Sequence, residues 1–475
     1  MRTQSPTQRP TPSTTPSTSN AASTPAPAST TGAPPANKAL GAPAKNEVDT
    51  KRQGADAFES RKSEPLSLLA SGQPSRALPT PAPTQSPLSP KDIPAADWTV
   101  FVNLNADNNL ESYGKDDLNE MEKVGSLAGK MNVIALVDGG TRKDADGWNT
   151  STRLMYVTKD PTDSSKISSR EIEVDPKSDL GKMLAANKGE LNTGDPKVLR
   201  AAMDYVQRNV ESKHFMVDLW DHGSGWKGVS YDDHPAASLD MKELKEALSG
   251  LPKKVDILSA DACLMATVEV ADTAKAAGAD WLVGSEEVEP GTGWNYTDLL
   301  SRVAKMYDGG AKEVSAEQMS KAILESYAAG PNDNVTMSAT NLSKLDKLNT
   351  SLNGFSDALL KAGGLQDKTL RSAYQQTLRF DDADQMDLGD FARRVSQSTQ
   401  DPALKKAAEQ LLTTLADTTT KTGAPGAASK YGASTGLTIY APKGSVDPQY
   451  KQTGLDWQKS RWNDVIATFN KLANA

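Results

Sequence analysis

The chain has 475 residues, a formal net charge of −8 at pH 7 and a single cysteine, Cys263. One cysteine excludes an internal disulfide framework and any zinc site built from several cysteines. No run approaches the roughly 20 consecutive apolar residues of a membrane-spanning helix, and the acidic balance argues against nucleic acid as a partner. We therefore expect neither a membrane span nor nucleic-acid binding.

Residues 1–92 form a Ser/Thr/Pro-rich leader that we predict to be disordered. They hold 16 of the 28 prolines and neither Tyr nor Trp, so they bury too little apolar surface to offset the entropy of ordering. No Asp or Glu precedes Glu47, and no apolar core of a cleavable export signal follows Met1. We expect secretion without a cleavable Sec signal, as in effector-type export; a cytoplasmic location is the alternative.

The rest of the chain is more acidic than the whole. The leader contains 10 of the 53 Lys and Arg and 6 of the 61 Asp and Glu, so residues 93–475 carry 43 basic and 55 acidic side chains, a net charge of −12. This charge suits basic partners, although acidity also serves solubility alone. The charge is therefore weak support for a basic ligand.

Apolar runs alternate with amphipathic segments over the first part of this region. Strands are predicted at WTVFVNL, MNVIALVDGG, RLMYVT, HFMVDLW, VDILSADA and ADWLVGSEE, with RLMYVT as an edge strand. The segments between them have helical spacing, and Ser238 or Asp240 is a suitable cap for SLDMKELKEALSGL. This alternation predicts an α/β fold, with a mainly parallel central sheet, helices on both faces and ligands beyond the carboxyl ends of the strands.

From about residue 310 helical patterns dominate, interrupted by the strand candidates VTMSATNL and GLTIYAP. These two runs either extend the same sheet or belong to a second subdomain. We divide the chain after the leader into a core, residues 93–310, and a helix-rich region, residues 311–475, that completes the domain.

Two residues with catalytic chemistry follow successive predicted strands. Cys263 follows VDILSADA and apparently opens a helix, where the positive end of the dipole favours a thiolate. His222, in DHGSGW, ends the preceding strand 41 residues earlier, a gap that fits one strand–helix crossover. A nucleophilic thiol needs such a base within hydrogen-bond reach, but a lone cysteine is also commonly a small buried hydrophobe.

Glycines around His222 add to this site. They allow backbone to approach a substrate closely, so the N–H groups of Gly223 and Cys263 are candidate donors to a developing oxyanion. Trp226 and Trp294 lie near both segments, and packing is their expected role, because buried tryptophan commonly belongs to the core.

Several Asp and His side chains also suggest a second possibility, a metal-dependent hydrolase. Asp232, Asp233 and His234, with Asp221 and His222, supply ligands that suit a cation. Their spacing matches no known ligand loop, and DDHP is typical of a solvated turn. We therefore assign no metal ligands and rank a metal-dependent hydrolase last.

Four stretches in sequence order resemble successive signatures of one family, the clostripain-like cysteine peptidases, which are relatives of caspases, gingipains and legumain. They are WTVFVNLNADNNLE, LWDHGSGW, DACLMATVEVA and GSEEVEPGTGWNY, and weaker similarity extends over roughly residues 97 to 465. The resemblance implies a caspase-like α/β/α sandwich and a Cys/His peptidase. It makes Cys263 the nucleophile and His222 the catalytic base or proton donor.

Family members cleave after Arg or Lys, so the resemblance implies protein or peptide substrates that contain these residues. Carboxylates pair well with a guanidinium in a partly desolvated pocket. Asp261 and, among the SEEVE carboxylates Glu286, Glu287 and Glu289, Glu287 are our candidates, although Asp261 is also a plausible helix cap. The sequence requires no cofactor, the resemblance admits calcium, and we favour a monomer.

A second function of a different class fits the same pattern. A catalytically silent or effector-type protein with this fold would dock basic peptides in an acidic cleft. The presence of both His222 and Cys263 argues against that alternative.

Overall fold

The computed structural model describes residues 86–140, 148, 151–160, 162, 166–330, 335–422, 430–451 and 459–473. Most of the predicted leader lies outside the described residues, but its last part does not. Leu88 is buried, donates its N–H to the carbonyl of Glu171 at 2.7 Å and accepts from Glu173 at 2.9 Å. The assignment of residues 86–92 to a disordered leader is therefore wrong, because this segment pairs with backbone of the folded region.

The described residues contain thirteen strands. They are β1 (Ala96–Ala106), β2 (Met131–Gly139), β3 (Arg153–Tyr156), β4 (Arg170–Glu171), β5 (Ser212–Trp220), β6 (Val229–Asp233), β7 (Ala236–Leu239), β8 (Ile257–Asp261), β9 (Trp281–Gly284), β10 (Ser338–Asn341), β11 (Gln385–Asp387), β12 (Thr419–Lys421) and β13 (Thr438–Tyr440). All the strands predicted from the sequence are present.

Twelve α-helices lie within the same residues. They are α1 (Glu111–Glu122), α2 (Asp179–Ala186), α3 (Pro196–Asn209), α4 (Met241–Leu248), α5 (Val268–Ala276), α6 (Tyr296–Asp308), α7 (Ala316–Ala328), α8 (Leu345–Lys361), α9 (Lys368–Gln376), α10 (Leu388–Ser398), α11 (Pro402–Thr418) and α12 (Trp462–Ala473). The cap of α4 is Asp240, one of the two predicted, in a capping box with Glu243. Among the helices described, none is long and apolar enough to span a bilayer.

Nine strands form the central sheet in the order β12-β10-β9-β8-β5-β1-β2-β3-β4. The five middle strands β9, β8, β5, β1 and β2 are parallel, and antiparallel strands flank them on both sides. The predicted mainly parallel sheet is confirmed, with β4 rather than β3 at the edge. VTMSATNL contributes β10 to this sheet, whereas GLTIYAP contributes β13 to a separate pair with β11.

The central strands are buried on both faces because helices cover each side of the sheet. All eleven residues of β1 are buried, and its side chains alternate between two apolar clusters. Phe101 packs in the cluster that also contains residues of α3, α4, α5 and α8. Trp98 and Val100 pack in the cluster with residues of α1, α6 and α7. The fold is therefore an α/β/α sandwich, as the alternation predicts.

Candidate active site

The pairing of β5 with β8 brings two functional segments together. In this parallel pair Trp220 lies opposite Asp261, and the Asp221 N–H donates to the Asp261 carbonyl at 3.3 Å. His222 and Cys263 each lie two residues beyond the paired positions, so both follow strand ends at the same edge of the sheet. This is the edge at which the sequence pattern predicts a ligand site.

Cys263 lies in a turn and not at a helix terminus. The chain leaves β8 at Asp261, and α5 begins five residues after Cys263, at Val268, capped by the Thr267 side chain. Leu264 has φ +67°, a backbone conformation that side chains rarely adopt, and it reverses the chain before the helix. The prediction that Cys263 opens the helix is therefore wrong, and the dipole of α5 does not act directly on the thiol.

A backbone N–H group, and not the helix dipole, interacts with the sulfur. The N–H of Glu289 donates to Sγ of Cys263 at 3.3 Å. The Cys263 turn is docked on the same segment by a bond from the Leu264 N–H to the Glu287 carbonyl at 3.2 Å. Because a donated N–H favours negative charge on the acceptor, this contact supports a thiolate. The donor segment belongs to GSEEVEPGTGWNY, which sequence analysis considered only for its carboxylates.

His222 is buried, and its ring is held by a residue that the sequence analysis missed. Nε2 of His222 lies 2.8 Å from Oδ1 of Asn109. An amide oxygen only accepts hydrogen bonds, so Nε2 carries the proton and Nδ1 is the basic nitrogen of the neutral ring. Asn109 belongs to the DNNLE stretch, whose role is invisible without the fold because it lies 113 residues from His222.

The backbone beside His222 is held by Asp221. This carboxylate is fully buried and accepts the N–H of His222 at 2.5 Å, the Asn105 amide at 3.0 Å and the Asn108 amide at 2.8 Å. It also accepts the N–H of Tyr231. Asp221, one of the groups considered for a metal, therefore links the loop that carries Asn109 to the turn that carries His222.

The two turns touch at Gly223. A Cβ on this residue would lie 2.3 Å from the carbonyl oxygen of Cys263 and 3.1 Å from its nitrogen. Only glycine allows this approach without movement of the backbone. Gly223 and Cys263, whose N–H groups are the two predicted oxyanion donors, thus lie close together in the structure.

Asp261 is fully buried beneath the same edge. Its Oδ2 accepts the N–H of Trp294 at 3.1 Å and the hydroxyl of Tyr296 at 3.1 Å. The same hydroxyl lies 2.7 Å from Oδ2 of Asp218. Burial, and then the charge of Asp261, raise the pKa of Asp218 to about 7. Asp218 and Asp261 are thus neighbouring buried carboxyls, and the raised pKa of Asp218 is a consequence of its burial and of this proximity.

The three SEEVE glutamates are all buried but have different surroundings. Glu287 accepts the N–H of Asp381 at 3.1 Å through Oε1, whereas Glu289 accepts the indole N–H of Trp294 at 3.1 Å. Burial raises the pKa of Glu286 well above its usual range. Glu289 is thus the glutamate whose backbone meets the thiol, while the contacts of Glu287 lie within the protein; its role in substrate binding stays a prediction.

Trp226 and Trp294 are buried, which agrees with their assignment to packing. The DDHP stretch spans the end of β6 and the turn to β7. Asp232 and Asp233 belong to β6, and His234 and Pro235 form the turn, where Nδ1 of His234 is 2.9 Å from Oδ1 of Asp107. Within the described part of the chain, no group of three or more His, Cys, Asp or Glu side chains is arranged to hold a metal ion. The interpretation of DDHP as a solvated turn holds for His234 and Pro235 but is wrong for Asp232, which is buried in β6 and accepts the N–H of Thr193 at 2.8 Å.

The class of protein follows from these features. An α/β/α sandwich that places a cysteine and a histidine at the ends of adjacent parallel strands is the architecture of the caspase-like cysteine peptidases. The sequence model of the clostripain family matches residues 102–468, and this chain belongs to that family.

Individual relatives agree with the family. Clostripain from Hathewaya histolytica is 29% identical over 228 residues, which are 43% of this chain and 42% of clostripain, so the similarity spans about two fifths of that relative. A secreted C11 cysteine protease from Bacteroides thetaiotaomicron, solved with an irreversible peptide inhibitor, superposes with a TM-score of 0.55 at 18% identity over 77% of this chain and 99% of that one. An inactive zymogen C11 protease from Parabacteroides distasonis has a TM-score of 0.53 at 17% identity over 77% and 98%. These structures confirm the caspase-like sandwich.

A methyl group at Gly223 tests the contact between the turns. We expect Gly223→Ala to lower kcat/KM on a peptide substrate by roughly tenfold to a hundredfold, because the backbone of Cys263 must shift by a fraction of an ångström. Gly354→Ala is the matched control, since a Cβ there meets nothing within 4 Å; it should leave activity unchanged and stabilise α8 by about 0.5–1 kcal/mol. Wild-type kcat/KM in Gly223→Ala would show that the turns do not act together.

Substitution of Asn109 tests the orientation of His222. Asn109→Ala removes the acceptor at Nε2 and should lower kcat/KM by about tenfold, part of the roughly 10²- to 10⁴-fold that acid–base catalysis contributes. Asn109→Asp keeps the acceptor and adds a negative charge that stabilises protonated His222, so the alkaline limb of the kcat/KM profile, where this proton is lost, should move to higher pH. Asn109 is exposed, so thermal stability is the control and should stay unchanged. Unaltered kcat/KM and pH profile in both variants would contradict the assignment.

The buried carboxyls predict a pH-dependent stability. Burial raises the pKa of Asp218, Glu190 and Glu269 to about 7 and that of Asp232 to about 6, whereas these groups titrate near 4 when unfolded. Between about pH 4 and 7 the folded state holds more protons, so the free energy of unfolding falls as pH rises. Urea unfolding at pH 5 and pH 8 should show this decrease, and Asp218→Asn should reduce it. Greater stability at pH 8 would refute the assignment.

Proposed function

We propose that this protein is a cysteine endopeptidase that cleaves peptide bonds after Arg or Lys, with Cys263 as nucleophile and His222 as base and proton donor. The observation that carries the proposal is the contact between the two turns at Gly223, produced by the register of β5 and β8. Membership of the clostripain family supports the reaction class.

The reaction begins at the sulfur. The Cys263 thiolate attacks the carbonyl carbon, and the tetrahedral oxyanion is held by the N–H groups of Gly223 and Cys263. Protonated His222 then gives its proton to the departing amine as the C–N bond breaks and a thioester forms. Water, deprotonated by His222, hydrolyses the thioester, which releases the acid and restores the thiol. Asn109 holds the imidazole through both halves of this cycle.

The position of Asp261 supports a preference for basic residues. This side chain lies two residues before the nucleophile, at the end of β8. Carboxylates form strong charge-assisted hydrogen bonds with a guanidinium or ammonium group in a partly desolvated site. We assign the residue before the scissile bond to Asp261. Asp261 thereby becomes a specificity residue and not a helix cap, a role that Thr267 fills for α5.

The proposal includes no resident cofactor. Calcium, which the family resemblance admits, stays a prediction, and no step above passes through a metal. Secretion is part of the proposal, supported by the relative that is described as secreted. We propose that the protein acts as a monomer on protein or peptide substrates.

Paired fluorogenic peptides ending in Arg, Lys and Asp test the function of the full chain. The wild type should cleave after Arg and Lys and not after Asp, and Cys263→Ala should reduce cleavage to background. His222→Ala should lose roughly 10²- to 10⁴-fold. Asp261→Asn should lower kcat/KM for the Arg and Lys peptides selectively, relative to a peptide with an uncharged residue at that position.

Two outcomes would overturn the proposal. Activity that survives in Cys263→Ala would exclude the thiol as nucleophile. Absence of cleavage by a folded wild type, both with calcium and with a chelator, would favour the alternative of a protein that docks basic peptides in its acidic cleft. Circular dichroism of each variant is the control for folding.

A further inference from the structure

The loop between α9 and β11 forms part of the wall around the nucleophile. Phe380 in this loop is buried in one small apolar cluster with Cys263, Leu264 and Tyr431. The rings of Phe380 and Tyr431 stack with their centroids 5.5 Å apart. Residues next to Phe380 therefore lie at the border of the site that contains the nucleophile.

Glu287 connects this loop to the turn that carries the nucleophile. Its side-chain Oε1 accepts the N–H of Asp381 at 3.1 Å, and its backbone carbonyl accepts the N–H of Leu264 at 3.2 Å. Glu287 is buried, so both bonds are shielded from water. Leu264 directly follows Cys263. Glu287 therefore fixes the position of the Asp381 backbone relative to the turn that carries the nucleophile.

The loop carries three aspartates, of which two have partners. Asp382 forms an ion pair with Lys227 at 2.8 Å. Asp384 accepts the N–H of Lys443 at 3.0 Å. Asp381 is exposed, and its side chain makes no hydrogen bond or ion pair with the residues that the structure describes. A carboxylate without a partner is thus held at the border of the site by its own backbone.

We propose that Asp381 binds a second basic side chain of the substrate, immediately before or after the residue that Asp261 accepts, so that the protein selects paired basic residues. This inference rests on the proposed function and extends it from one specificity residue to two. An Arg or Lys next to the scissile bond would contact a carboxylate that makes no ion pair with the residues that the structure describes, and Arg forms the stronger bidentate contact. Since Asp381 is exposed, the gain is modest and falls with ionic strength.

Cleavage of matched peptides by the full chain tests the proposal. One peptide has Arg before the scissile bond between alanines; two others add a second Arg, immediately before that residue or immediately after the bond. The wild type should prefer at least one dibasic peptide by about threefold in kcat/KM at low salt, and the ratio should fall in 0.5 M salt. Asp381→Asn should lower kcat/KM for the preferred dibasic peptide until the ratio is about one.

Glu317→Gln is the matched control, because it removes one exposed charge on α7 and should keep the dibasic preference. No preference in the wild type, or one that persists in Asp381→Asn, overturns the proposal. Failure to cleave the monobasic peptide is instead a failure of the proposed function. In that case the affinity for the peptides tests the inference: Cys263→Ala should bind the dibasic peptide more tightly than the monobasic one, and Cys263→Ala/Asp381→Asn should bind both equally. Equal binding by Cys263→Ala alone overturns the inference.

Discussion

The register between β5 and β8 is the constraint on which the site depends. With Trp220 opposite Asp261, the chain segments that leave the two strands emerge side by side, and their backbones meet at Gly223. A shift of one residue would turn the buried side chains of either strand to the opposite face. The two apolar clusters on the faces of the sheet oppose such a shift, so the same packing that stabilises the fold also aligns His222 with Cys263.

Hydrogen bonds and a raised pKa reduce the cost of burying carboxyl groups at this edge of the sheet. The hydroxyl of Tyr296 links Asp218 to Asp261, and burial next to Asp261 raises the pKa of Asp218 to about 7, because two adjacent buried carboxylates do not both ionise readily in a low dielectric. Asp221 is buried and accepts hydrogen bonds from backbone and amide N–H groups. Asp221 thereby holds the backbone beside His222, while the proposed partner of Asp261 is a basic side chain of the substrate.

The loop between α9 and β11 both shields the nucleophile and carries an exposed charged side chain. Phe380 packs in the cluster that buries the nucleophile, while the next residue, Asp381, exposes its carboxylate. Glu287 lies between the loop and the Cys263 turn and fixes their relative position. The buried glutamate thus acts on the site through backbone bonds, and the exposed aspartate is the group that meets solvent.

Much of this protein follows from local patterns in its sequence. Runs such as HFMVDLW and VDILSADA are apolar because parallel strands are buried on both faces, and the alternation with helices determines the α/β/α sandwich. DHGSGW and DACLM follow two of these runs, so His222 and Cys263 are predictable as neighbours at one edge. Asp240 is recognisable as a cap because capping depends on residues three positions apart.

Only the tertiary structure reveals the contacts between distant segments. Asn109 reaches His222, the Glu289 N–H reaches Sγ, and Glu287 anchors Asp381 across 94 residues; none of these pairs has a sequence spacing that would reveal it. The turn at Leu264, which separates Cys263 from α5, was likewise unpredictable, because its left-handed backbone is imposed by docking on residues 285–289. The sequence by itself determined the fold class and the two reactive residues, since these depend on local periodicity; their orientation, charge and surroundings depend on packing, which joins residues that the chain keeps far apart.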